Sequence, residues 1–186
     1  YGVYHSAFDD FTWFQRFADP DFTYEQEMAR VLGLETLRLA DAELLPYDYE
    51  NYGREIAAYV RTAKERAEKT FGKPPSFDAA LEAAERFARA GAAIAGVRPK
   101  DVAETVAVNH ALREAERALL LPHGLPGRPW FRHVIYAPGR YTGYAAAVIP
   151  GVNEAIDAGD REATEQQLAA LTAALVHAAT TLERYR

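Results

Sequence analysis

PHGLPGRPWFRHVIYAPGRYTGYAAAVIPG, Pro122 to Gly151, decides how the rest of the chain is read. Proline and glycine crowd it, so no helix runs through it, yet it carries Trp130, Phe131, Val134, Ile135, Tyr136, Tyr141 and Tyr144. A stretch of this length without helical periodicity, lying between helical segments, is either a working loop or a disordered one. Its aromatic content argues for the ordered, working kind.

On either side the pattern is helical. Downstream, a short helix is expected from Pro150 to Ala158, then Asp160 caps a last helix. In that helix Leu168, Leu171, Leu175, Ala178, Leu182 and Tyr185 alternate steps of three and four, the seam of a helix packed at a shallow angle on its neighbours. A second stripe, Ala169, Ala170, Ala173 and Ala174, invites another close helix.

Upstream, the spacing predicts a helix from Pro99 at its first position to about Leu121, with Val102, Val106, Asn109, Leu112 and Leu119 on one face. Asn109 needs a polar partner there. Ser76 caps a helix that presents Phe77, Leu81, Ala84, Phe87, Ala88, Gly91 and Ile94 inward, Gly91 permitting close approach. Asp48 caps another that keeps apolar spacing from Tyr52 to Phe71 and stops at Gly72.

Thr23 and Gln26 form a capping-box pattern opening a helix to Leu45, apolar on more than one side and ended by Pro46. Before it, Phe8, Phe11, Phe14 and Phe17 lie near one face of an expected helix from Ala7 to Ala18, a face that reads as core; Tyr1 to Ser6 is extended or turning. The fold class is therefore all-α: an up-and-down helical bundle with a long irregular aromatic loop at 122–150. Apolar surface is left over for a partner chain.

The totals exclude several functions. A net charge of -6, with Glu and Arg alternating along helices, argues against nucleic acid as a partner. No cysteine is present, which removes disulfides, thiolate catalysis and cysteine zinc sites. No apolar run is long enough for a membrane segment, nothing resembles a signal peptide, and localisation stays open. The chain opens at Tyr1 inside an aromatic segment and its one methionine is Met28, as expected of a piece of something longer.

His5, His110, His123, His133 and His177 form no metal motif by spacing, and no phosphate cradle, nucleophile elbow or dinucleotide fingerprint occurs. Each histidine reads first as a surface or satisfied side chain.

RPWFRHVIYAP at Arg128 to Pro138, followed by Tyr144-Ala145 and Ile149-Pro150-Gly151, resembles the same succession near the C-terminus of glutamate carboxypeptidase II and its relatives, di-zinc peptidases also related to the transferrin receptor. The similarity continues through REAERALLL at Arg113 to Leu121, LADAELLPYDYENYGREI at Leu39 to Ile56, FADPDF at Phe17 to Phe22, and Tyr4-His5-Ser6. It covers essentially the whole chain.

That resemblance implies that residues 1–20 are the tail of an upstream peptidase domain and 21–186 a transferrin-receptor-like dimerisation domain whose loop reaches a substrate pocket. It implies a homodimer that works with its own peptidase domain on a peptide substrate. His5 matches a zinc ligand; Tyr4 and Tyr144 match tyrosines that contact the substrate's terminal carboxylate. Zinc is expected in the full-length enzyme and not in this piece, which holds one ligand where about three are needed and no catalytic residue. Relatives that prefer a C-terminal glutamate carry lysine where this chain has Gly143, which argues against strict glutamate specificity; Arg140 is the nearby cation. Two other functions are expected to be distinguishable from this one: a receptor-like member without catalysis, against which His5 speaks, and a free-standing helical enzyme using His133 or His110 with a nearby carboxylate.

Overall fold

The computed structural model describes residues 2–141 and 143–185. The chain divides into two compact units, Tyr1–Pro46 and Tyr47–Arg186.

The first unit departs most from expectation. Tyr1 lies outside the described residues, and the segment after it forms turns up to Ser6 and beyond. In place of one helix from Ala7 to Ala18 there is a single turn, α1 (Phe11–Trp13), capped by the Asp10 carboxylate accepting from Trp13 N at 2.8 Å, and a π-helical turn over Phe14–Ala18. The wider turn shifts the register that four-residue spacing assumed, and Phe8, Phe11 and Phe17 are exposed instead of forming core.

Helix α2 (Thr23–Ala40) does not use the capping box. Phe22 precedes it in the left-handed region at φ 55, and the buried Asp19 carboxylate accepts from Thr23 N at 2.8 Å and Glu25 N at 3.0 Å. A carboxylate satisfies two orphan donors at once, and its charge suits the positive end of the helix, so it displaces the threonine hydroxyl. The helix ends at Ala40, short of Leu45, and buries none of its residues: Met28, Val31, Leu32, Leu34, Leu37 and Leu39 are all exposed.

The second unit is the expected helical bundle. It comprises α3 (Tyr49–Phe71), α4 (Asp78–Ala95), α5 (Val102–Arg117), α6 (Pro150–Asp157) and α7 (Arg161–Glu183), with α4 packed on both α3 and α7 and α5 and α6 also packed on α7. Asp48 and Asp160 cap α3 and α7 as read from sequence, accepting from Asn51 N and Ala163 N at 2.9 Å each. Ser76 Oγ accepts from Asp78 N at 3.2 Å, bracing the start of α4.

Helix α5 begins after Asp101, whose carboxylate accepts from Glu104 N at 2.8 Å while Glu104 reaches back to Lys100 N at 2.6 Å. That reciprocal box puts the start three residues past Pro99 and leaves Val102 and Val106 exposed at 79% and 60%, not inward. The helix ends at Arg117, before Leu121. Asn109 is half-buried and has a partner.

The core is unusually rich in alanine, which lets helices approach closely. A Cβ on Gly91 would lie 2.4 Å from the backbone of Tyr49 and Glu50, and one on Gly53 2.6 Å from Ala88 N, so two glycines on facing helices set the α3–α4 distance. In α7 the leucine seam is buried from Leu168 to Leu182, whereas Ala169 and Ala173 of the second stripe face solvent.

The loop is more regular than an irregular arm. It contains a hairpin of β1 (Tyr136–Pro138) and β2 (Ala146–Val148), antiparallel, with Tyr136 opposite Val148 and Pro138 opposite Ala146. Pro138 is tolerated because each strand has a free edge. No helix among the described residues is long and apolar enough to cross a membrane.

Candidate functional site

The hairpin is tied to the bundle along its whole base. Val134 N donates to Leu119 O at 2.9 Å, Leu121 N to Arg132 O at 2.8 Å, and Ile149 N to Ile135 O at 2.7 Å. Between these bonds Val134, Ile135 and Ala137 are buried, and the alternation of Ile135 and Ala137 about Tyr136 anchors the arm while Tyr136 faces outward.

One outward residue, Tyr136, meets a cluster of aromatic side chains. It stacks on Tyr52, its hydroxyl lies 3.2 Å from that of Tyr59, and Tyr52 contacts Phe87 edge-on. Beside it Tyr49 donates to Leu112 O at 2.6 Å. Burial, helped by the Tyr59 bond and nearby Glu55 and Glu116, pushes the Tyr136 phenol up to about 12. Tyr49 and Tyr52 are raised further, by burial first and by Glu116 second.

His133 sits at the edge of this cluster. Its Nδ1 accepts from Ile135 N and Tyr136 N at 3.2 Å each, and its Nε2 lies 3.0 Å from Glu116 Oε1. The backbone bonds require Nδ1 without a proton, so Nε2 carries the N–H donated to the carboxylate. Both nitrogens are thus engaged, Nδ1 by the backbone entering β1 and Nε2 by Glu116 of α5. His110 is exposed on α5.

Arg128 is the side chain that sequence reading passed over. It is 7% exposed, donates to Pro138 O and to Glu154 of α6, and lies over the Phe131 ring with its central carbon 5.5 Å from the centroid. An arginine within a proline-rich turn gives no periodic signal of burial.

At the free end of the hairpin Tyr141 and Tyr144 project outward, 92% and 88% exposed. A shallow cleft of about 330 Å³ runs beside Tyr144, lined by Tyr136, Pro138, Gly143 and Ala145 among others, with no charged side chain among the described residues. Arg140 does not line it. Its guanidinium lies toward Gly127, in a separate cleft with Glu154 and Asp160.

The other two residues singled out from sequence, Tyr4 and His5, belong to the first unit, and Tyr144 to the second. Tyr4 and His5 stack with centroids 3.9 Å apart, and His5, at φ 61, donates its backbone N–H to Asp9 at 3.3 Å. Stacking covers the ring faces and leaves the imidazole nitrogens, which lie in the ring plane, outside the stack. Among the described residues no three His, Asp or Glu side chains come together to hold a metal ion.

A family model described as the transferrin receptor-like dimerisation domain matches residues 75–183. The chain is similar to the probable glutamate carboxypeptidase LAMP1 of Arabidopsis thaliana, 38% identical over 159 residues that make up 84% of this chain and 23% of that protein. It is 34% identical over 166 residues to a probable glutamate carboxypeptidase of Arthroderma benhamiae, covering 85% of this chain and 23% of the relative. With the aminopeptidase NAALADL1 of Rattus norvegicus it shares 30% identity over 198 residues, 98% of this chain and 26% of that protein. The chain spans about a quarter of the length of these relatives. From RPWFRHVIYAP through the helical bundle that carries it, the chain belongs to the transferrin receptor-like dimerisation domain family, with glutamate carboxypeptidase-like proteins as its relatives.

Proposed function

We propose that this chain pairs two protomers of a glutamate-carboxypeptidase-like di-zinc metallopeptidase and lends its hairpin to the substrate pocket. The observation that carries the pairing is the family match together with apolar side chains that the chain's own fold leaves in solvent: Val102 and Val106, one turn apart on α5. A second copy covering such a face in an obligate dimer would bury more than ~2,000 Å² in total. Light scattering on the protein at micromolar concentration is expected to give a dimer, and Val106→Glu to shift it toward monomer. A wild-type monomer under those conditions sinks the reading.

The junction with the peptidase part is expected near residue 20; the division of the compact units at Pro46 supports a peptidase part that extends past it. Helix α2, apolar on several sides and buried on none, would then complete the peptidase part. In the whole enzyme His5 would be one zinc ligand, the metal supplying an activated water, while Tyr4 and Tyr144 donate hydroxyls to the substrate's terminal carboxylate. The remaining ligands and the general base would come from outside this chain, so the chain alone is expected to be without hydrolytic activity. Gly143 and the placement of Arg140 away from the Tyr144 cleft support a substrate whose terminal side chain is uncharged. Tyr144→Phe in the whole enzyme is expected to raise KM for peptides with a free C-terminus. Unchanged kinetics would detach the hairpin from the pocket.

A further inference from the structure

We infer that Arg128 is the positioning residue of the hairpin: by joining β1 to α6 it sets where Tyr144 is held. Its consequence for turnover rests on the pocket reading above; its consequence for the hairpin does not. The strands are three residues long on each side, and a two-stranded hairpin of that size is marginal without outside support. At the Tyr136 end support comes from the tyrosine stack and His133. At the Pro138 end, next to the turn that carries Tyr141 and Tyr144, it comes from Arg128, whose guanidinium donates one nitrogen to Pro138 O and the other to Glu154.

This pair differs in kind from the other arginine–carboxylate pairs seen among the described residues. The Arg128 side chain is 8% exposed, whereas those of Arg30, Arg54, Arg61, Arg66, Arg86 and Arg117 are 37% or more. Exposed pairs contribute little, while a buried charge left unpaired is strongly unfavourable, so the guanidinium and its two acceptors are locked together. A planar fork with fixed donor directions is what allows one side chain to hold a strand carbonyl and a helix carboxylate at once; an ammonium on a flexible stem keeps the charge without that geometry.

The test uses the full-length protein and two variants. In R128K, amide exchange read by mass spectrometry is expected to quicken about tenfold or more across residues 136–148 while α7 stays near the wild-type rate. KM for peptide is expected to rise about fivefold with kcat within about twofold, because only the placement of a binding group has changed. Hairpin exchange at the wild-type rate overturns the assignment. Faster exchange with unchanged KM leaves the positioning role standing and removes the pocket reading instead. Should R128K fail to fold, E154Q keeps the bond to Pro138 and removes the charge across it: hairpin exchange about threefold faster supports the assignment, and an unchanged rate overturns it.

Discussion

Tyr52 of α3 and Tyr136 of β1 stack with ring planes 3° apart and centroids separated by 6.1 Å, so the hairpin is clasped to the bundle by its own first residue. Tyr49 is buried and Tyr52 half-buried, while Tyr136 keeps 36% of its surface exposed, and this partial removal from water has a measurable consequence for pH.

A tyrosine is neutral when protonated, and the folded state keeps the Tyr136 proton up to about 12, above its ordinary value of 10.0. The stability this contributes is fully present below pH 10 and is lost as pH rises through that window, because the unfolded chain releases the proton first. Tyr49 and Tyr52, raised in the same direction, extend the loss upward. The denaturation midpoint is therefore expected to fall steadily above pH 10, and less steeply in Tyr136→Phe, which keeps the stack and removes one ionisation. A midpoint independent of alkaline pH would mean these rings are hydrated.

Gly91→Ala gains up to ~1 kcal/mol of helix propensity and still is expected to destabilise the protein, because the new Cβ meets rigid backbone and overpacking of this kind costs about 1–3 kcal/mol or more. The 2.4 Å approach to Tyr49 and Glu50 leaves no flexible side chain to yield. Gly33→Ala is the control: nothing lies within 4 Å of its Cβ, so it should stabilise. Chemical denaturation of both variants gives the comparison, and equal effects would refute the close α3–α4 contact.

Capping of α2 separates two carboxylate and hydroxyl assignments. Asp19→Ala removes the acceptor for Thr23 N and Glu25 N and is expected to cost about 1–2 kcal/mol, whereas Thr23→Ala should change stability by less than ~0.5 kcal/mol. The reverse order in thermal melts would restore the threonine cap.

Leucines of α2 and α7 should behave oppositely. Leu171→Ala empties a site in the core and is expected to cost about 2–5 kcal/mol in the chain by itself. Leu37→Ala touches an exposed position and should change the chain by less than ~0.5 kcal/mol, yet destabilise the full-length protein by about 2 kcal/mol or more if peptidase sequence covers α2. An equally small effect in both contexts would leave α2 uncovered.

Read from the residues alone, helix type and order in the second unit were legible because apolar spacing, Asp48, Asp160 and Gly72 are local signals, each satisfied within a turn of itself. The leucine seam of α7 was legible for the same reason. The family, too, lay in a short linear motif. What a linear pattern could not settle was which apolar face finds a neighbour. Val102, Val106 and the whole of α2 have the composition of core and stand in solvent, since burial belongs to the partner surface and not to the residue.

Competition among polar groups was equally hidden. Asp19 displaced Thr23 as the cap, and Asp101 with Glu104 displaced Pro99, because the nearer carboxylate offers the stronger charge-assisted bond. Arg128 is the extreme instance: only the folded chain brings Pro138 and Glu154 to one guanidinium, across 10 and 26 residues of sequence. Local hydrogen bonding and periodicity were written in the sequence; long-range pairing and the identity of each buried surface were decided by the tertiary structure, because they depend on atoms far apart along the chain.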